Sequence, residues 1–227
     1  LRFEHKNANF GKKEMINSVD ISELSRQFSE KDYIILPNFL KQEFAESCFS
    51  LISSIQDWNL SVFPYNEKKY TFSEEEIIPE MYASANSSLL SGKFSYYFFR
   101  SEQASEIFSK DEIKNFVSTI TSKEIRGSTS FFASRYSSNC FLSTHTDEGR
   151  GKIAIVYNLT KYWSPSWGGN LHILSDKDWS VVRECVIPKF NTLVLFNVDY
   201  PRGKPHFVSS VIPNCLAQRY AFSGWYY

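Results

Sequence analysis

The chain has 227 residues, and its 25 basic and 25 acidic side chains give a formal net charge of zero. That balance leaves no electrostatic footprint for a nucleic acid, and the length suits one good-sized core. Four scattered cysteines, Cys48, Cys140, Cys185 and Cys215, are too few for a disulfide framework and fit a reduced, cytoplasmic setting.

No apolar run reaches the length of a membrane span. The first residues, Leu1-Arg2-Phe3-Glu4-His5-Lys6, are charged and lack the apolar centre of a signal peptide. The chain does not begin with Met, which leaves a removed targeting segment open. Residues 1–17 show no period and are expected as a loose arm, with His5 exposed. Asp20 is a fitting N-cap for a short helix that follows it. Tyr33-Ile34-Ile35-Leu36-Pro37 reads as a short strand ended by proline. From Lys41 to Trp58, the residues Phe44, Cys48, Leu51, Ile52, Ile55 and Trp58 recur at three- and four-residue steps. This predicts an amphipathic helix lying on something flat.

Glu74-Glu75-Glu76 sits in a polar, Ser-rich setting and reads as a solvated turn rather than a metal site. Phe94 to Arg100 is strand-like, either a core or edge strand or a wall of a substrate pocket. Residues 102–123 are predicted helical, with Ala104, Ile107, Phe108, Ile113, Phe116, Val117 and Ile120 at helical steps. From Ser128 strands dominate, at about 129–137, 142–147, 152–160, 169–175, 181–187, 191–197, 206–212 and 216–226. Aromatics make up 17% of the chain and favour strands as well. The expected class is mainly β with N-terminal helices: a double-stranded β-helix of jelly-roll, cupin-like type, buttressed by helices. One domain is expected over 1–227, with 1–127 as helical support and substrate-loop region and 128–227 as the core.

His145-Thr146-Asp147 carries the first chemical signal. Residues two apart in an extended strand share a face, so His145 and Asp147 can reach one ion. His206, in Lys204-Pro205-His206-Phe207-Val208, opens another apolar run. Two histidines and a carboxylate on one face of a metal, with three positions open, form the facial triad of non-haem Fe(II) oxygenases. His172 could compete for the third place, but it lies mid-strand and reads as a satisfied or pocket-lining residue. Arg219 lies in the apolar and aromatic run that ends the chain. Burying it is unfavourable without an anion, and no acidic residue follows His206 to supply one. A bound carboxylate fits its guanidinium fork.

The segment from Arg135 to Tyr227 resembles the catalytic core of the 2-oxoglutarate- and Fe(II)-dependent oxygenases, prolyl 4-hydroxylase type. The resemblance rests on Arg135-Tyr136, His145-Thr146-Asp147, Ile155 to Leu159 with Trp163, and Gly168-Gly169-Asn170-Leu171. It continues through Pro188 to Phe196, Pro205 to Val208, and Arg219-Tyr220-Ala221 with Trp225, in the family's order. It implies that His145, Asp147 and His206 hold Fe(II). It also implies 2-oxoglutarate and O2 as cosubstrates, with ascorbate as an optional reductant. Arg219 would bind the distal carboxylate of 2-oxoglutarate, with Ser223, four residues on, adding a hydrogen bond. Tyr157 corresponds to a tyrosine that bonds the same carboxylate, or else packs in the core. Tyr136 corresponds to a tyrosine near the iron and the substrate. Trp163, Trp167 and Trp225 read as structural or rim residues.

A carboxylate at position 147 favours hydroxylation over halogenation. The expected substrate is a prolyl residue of a polypeptide. The alternatives are a free amino acid or other small molecule, met by Arg100, Arg135 or Glu148, or a non-catalytic cupin-like binding module. The aromatic segments at 62–70 and 94–99 could line a peptide groove. Neither a nucleic acid nor a membrane is expected as a partner, and the oligomeric state stays open.

Overall fold

The computed structural model describes residues 14–63, 68–77 and 93–227. Most of the N-terminal arm, His5 included, and part of the aromatic segment at 62–70 lie outside the described residues. Asp20 caps α1 (Ile21–Lys31), its carboxylate accepting the Glu23 amide at 3.0 Å. This satisfies one of the donors a helix start leaves open. Strand β1 (Tyr33–Pro37) follows, and then α2 (Gln42–Ser53). Helix α2 stops short of Trp58, which turns inward to 1% exposure and donates its indole N–H to the Ile55 carbonyl.

Strands β2 (Asn59–Phe63), β3 (Tyr70–Ser73) and β4 (Phe94–Arg100) come next, with a 3-10 turn at Glu74–Glu76. The stretch predicted as one helix over 102–123 is two, α3 (Glu102–Phe108) and α4 (Asp111–Thr121). The break at Ser109-Lys110 lets two apolar surfaces meet different neighbours. Phe108 stacks on Phe131 at 4.8 Å and meets Tyr157 and Phe222 edge-on, whereas Phe116 packs on Phe39. Among the described residues no helix is long and apolar enough to cross a membrane.

Each strand expected after Ser128 is present: β5 (Phe132–Tyr136), β6 (Phe141–His145), β7 (Ile153–Asn158), β8 (Leu171–Leu174), β9 (Val182–Val186), β10 (Thr192–Asn197), β11 (His206–Val208) and β12 (Arg219–Tyr226). Strand β11 is shorter than the predicted 206–212, and β12 starts at Arg219 rather than 216. Neighbours along the order β1-β10-β7-β12-β5-β4-β6-β11-β8-β9 are hydrogen-bonded. The sheet folds back at β4, which pairs with β5 over Tyr97–Arg100 and with β6 through Phe94 and Ser95. The fold is therefore a nearly closed antiparallel barrel of jelly-roll type with helices packed outside it. Strand β4 joins the two halves of the sheet, and β2 and β3 extend it through β2, which pairs with β4.

Side chains alternate across the barrel wall. On β12, Phe222 and Tyr226 face the helices, where the Tyr226 hydroxyl donates to the Phe108 carbonyl at 2.6 Å. Arg219, Ser223 and Trp225 face the interior cavity. Phe108 is fully buried where helices and barrel meet. Phe108→Ala is expected to lower unfolding free energy by about 3–5 kcal/mol, read from urea denaturation. A loss below about 1 kcal/mol would mean that this helix–barrel contact is not part of the core.

Candidate metal centre

His145 ends β6 and His206 begins β11, and the two are direct cross-strand partners. Their ring centroids lie 4.3 Å apart. Asp147, just past the end of β6, sets Oδ1 3.6 Å from His145 Nε2 and Oδ2 3.7 Å from His206 Nε2. One ligand atom from each of the three lies within 4.8 Å of the others, so the group could hold a metal ion. Both rings are oriented in the same way. His145 Nδ1 lies 2.8 Å from the Ser143 carbonyl, and His206 Nδ1 lies 2.9 Å from the Lys204 carbonyl. An Nδ1–H donated to each carbonyl leaves both Nε2 lone pairs for an ion. The Lys204 backbone is itself anchored, because its buried ammonium bonds Asp176 at 2.7 Å and lies 3.3 Å from Asp32.

Burial, and secondarily the nearby His145, pushes the His206 imidazole down to about 4 from an ordinary 6.5. Burial raises the Asp147 carboxyl, but His145, His206 and the Trp225 indole outweigh it and hold the group below the usual carboxylate range. For His206 the unfolded chain binds the proton first. In the metal-free protein its contribution is therefore complete above about 6.5 and is lost as pH falls toward about 4. Asp147 acts in the same direction at lower pH. Metal-free stability should fall across that window, and His206→Gln should flatten the slope. An identical pH profile in the two proteins would contradict the assignment.

Arg219 opens β12 at 2% exposure, and its Nε and Nη1 have no hydrogen-bond partner. Its guanidinium carbon lies 4.6 Å from the centroid of the Tyr136 ring, which stacks on Tyr96 at 5.2 Å. Burial lowers the Arg219 pKa, and no carboxylate among the described residues pairs with it. A buried guanidinium with two nitrogens unpartnered and only the neutral Tyr136 beside it is completed by an anion. Arg219 lines the same cavity, of about 1280 Å³, as His145, Asp147 and His206. A group that could hold a metal, and an arginine fork suited to an anion, thus face one chamber.

Residues 131–227 match the sequence model of the 2OG-Fe(II) oxygenase superfamily. No curated protein sequence matches the chain. Among solved structures, the fold is similar to a 2OG-Fe(II) oxygenase family oxidoreductase from Burkholderia pseudomallei. That pair shares 13% identity, with 93% of this chain and 92% of the other covered and a TM-score of 0.61. A Pseudomonas putida prolyl-4-hydroxylase gives 14%, 91% and 98%, and 0.60. A Trichoplax adhaerens prolyl hydroxylase, in complex with a hypoxia inducible factor oxygen degradation domain peptide fragment, gives 18%, 91% and 88%, and 0.59.

Within the part that matches the 2OG-Fe(II) oxygenases, Tyr136 and Ser223 line the cavity alongside Arg219. Tyr157 does not. Its hydroxyl donates to Asn191 Oδ1 at 2.8 Å, and its ring packs on Phe39 and Phe108 among the helices. On β7 it is Val156 that faces the chamber, so the carboxylate-binding expectation for Tyr157 is corrected to core packing. His172 stacks on Phe207 at 4.4 Å, on the face of the barrel wall away from His206, and does not reach the metal group. Arg135 also faces outward, held between the Trp58 and Tyr97 rings and paired with Glu74 at 2.5 Å. Glu148 is exposed, outside the lining. Of the three residues considered for a small substrate's charges, only Arg100 lines the cavity. Trp225, read from the sequence as a structural or rim residue, has a more specific place: its indole N–H donates to Asp147 Oδ2 at 3.0 Å and fixes that carboxylate. It lies six residues from Arg219 on one strand, an even separation that places both on the same face.

Proposed function

We propose that the chain is an Fe(II)- and 2-oxoglutarate-dependent oxygenase that hydroxylates a prolyl residue of a polypeptide. The observation that carries the reading is Arg219: a buried guanidinium with two unpartnered nitrogens, opening on the cavity that holds His145, Asp147 and His206. Two imidazoles and one carboxylate suit Fe(II), and an arginine fork suits the distal carboxylate of 2-oxoglutarate. When bound, the metal and cosubstrate would supply the oxidative chemistry: dioxygen and 2-oxoglutarate consumed, a substrate C–H replaced by C–OH, succinate and carbon dioxide released.

The protein's own part is placement. His145, Asp147 and His206 hold the metal, and the Ser143 and Lys204 carbonyls fix the ring orientations. The Trp225 indole keeps one Asp147 oxygen turned. Arg219 takes the cosubstrate carboxylate, with Tyr136 and Ser223 beside it, and the Phe132, Tyr96 and Trp225 rings give the chamber an apolar wall.

A polypeptide is favoured over a free amino acid by the volume of the chamber, about 1280 Å³, against roughly 300–1,000 Å³ for small-molecule sites. The prolyl assignment draws on the fold similarity to prolyl hydroxylases, one of them in complex with a peptide fragment. Succinate release with proline-containing peptides and with a panel of free amino acids tests it. Peptide-dependent release, with hydroxyproline found by mass spectrometry, is expected. Turnover with free amino acids alone would overturn the polypeptide assignment.

A further inference from the structure

Among the described residues, the aromatic side of the cavity carries charge of one sign. Phe94, Tyr96, Phe98 and Arg100 of β4 face the chamber. Lys93, just before that strand, holds its ammonium 4.5 Å from the Phe63 ring. Lys69, just before β3, holds its ammonium 5.4 Å from the Phe98 ring and 5.8 Å from the Phe94 ring. Such contacts steady a flexible stem while its charged head stays in water. Among the described residues, the lining contains these three cations with Arg150 and Arg219, against the single carboxylate of Asp147. Arg150 lies 3.7 Å from Asp147, and Arg219 is taken by the cosubstrate in the reading above. Lys69, Lys93 and Arg100 are left exposed and, among the described residues, without a carboxylate partner.

We propose that the substrate is an acidic stretch of polypeptide, with carboxylates on both sides of the reacting residue meeting Lys69, Lys93 and Arg100. The proposal rests on the oxygenase reading only for which residue reacts. Cations of one sign around a cleft with apolar walls focus their field on an anion entering it. Lys93 and Arg100 flank opposite ends of β4, roughly 20 Å apart at a strand rise of about 3.3 Å per residue. A small dicarboxylate cannot meet both, whereas an extended peptide of about seven residues can. A nucleic acid is the weaker fit, because the 25 basic residues of the chain are balanced by 25 acidic ones.

The test is fluorescence anisotropy with three labelled proline-containing peptides of equal length, flanked by Glu, Gln or Lys. A single-stranded oligonucleotide and glutarate serve as competitors. Binding is measured on the full chain with Fe(II) and 2-oxoglutarate under anaerobic conditions, and in parallel without additions. If the oxygenase reading fails, the comparison between peptides can still be read from the unsupplemented arm. The Glu peptide should bind on the order of tenfold tighter than the Gln peptide, and the Lys peptide should bind weakest. The advantage should shrink as salt shortens the screening length, a readout that needs no variant. The combined K69E, K93E and R100E variant should reverse the order. Equal affinities, an order unchanged by salt or by charge reversal, or stronger competition from the oligonucleotide or glutarate than from unlabelled Glu peptide would each overturn the proposal.

Discussion

His145→Ala should abolish metal binding at stoichiometric concentration and reduce 2-oxoglutarate turnover by at least about 100-fold. Loss of a residue that merely orients a ligand already costs roughly 10- to 100-fold, so loss of a ligand should exceed that. The triad has no spare member: His172 is turned to Phe207, and among the described residues only His145, Asp147 and His206 are grouped so that they could hold a metal. Folding should survive the change, because His145 is only partly buried and its ring is held by short-range contacts to Ser143 and Asp147, while the backbone pairing of β6 is kept. Anaerobic Fe(II) titration and circular dichroism on the same sample separate loss of the ion from loss of the fold. Wild-type turnover in a folded His145→Ala protein would remove His145 from the site.

Arg219→Ala should weaken 2-oxoglutarate binding by roughly 2–5 kcal/mol, the usual effect of truncating one partner of a buried, hydrogen-bonded charge pair. The same change should leave the ligand-free protein at least as stable as before. Arg219 is buried with Nε and Nη1 unpartnered, so relief of an undercompensated charge should outweigh loss of its contact with the neutral Tyr136. A structural arginine would give the opposite pattern, with lower stability and unchanged cosubstrate affinity. Arg219→Lys keeps the charge but loses the two-pronged fork, and its affinity should fall between the two. An unchanged Michaelis constant for 2-oxoglutarate in the folded alanine variant would rule the role out.

These residues were legible in the sequence because each breaks a local rule. Arg219 stands in an aromatic strand with no acidic residue after His206, and His145 and Asp147 share a spacing that one ion can use. Tyr157 was left between carboxylate binding and core packing for an equally local reason. The run Ile153-Ala154-Ile155-Val156-Tyr157 is apolar on both faces, because β7 lies between the helices and the chamber. With no polar alternation to mark the inner face, a shift of one residue goes unseen. The outward face of Arg135 and the inward face of Trp225 could both have been read by counting in twos from Tyr136 and Arg219. The role of β4 could not. Its partners, β5 and β6, are set by non-local pairing, and only that pairing places Phe94, Tyr96 and Arg100 on the chamber wall.

The most direct measurement of the account is anaerobic calorimetry of 2-oxoglutarate binding, with and without Fe(II), on the wild-type chain. The metal group and Arg219 face one cavity, so the cosubstrate should be held at both ends. One equivalent of 2-oxoglutarate per chain should bind when Fe(II) is present, and binding should be much weaker when the metal is withheld. Binding of equal strength with and without Fe(II), or none in either case, would contradict the claim that these residues form one metal and cosubstrate site.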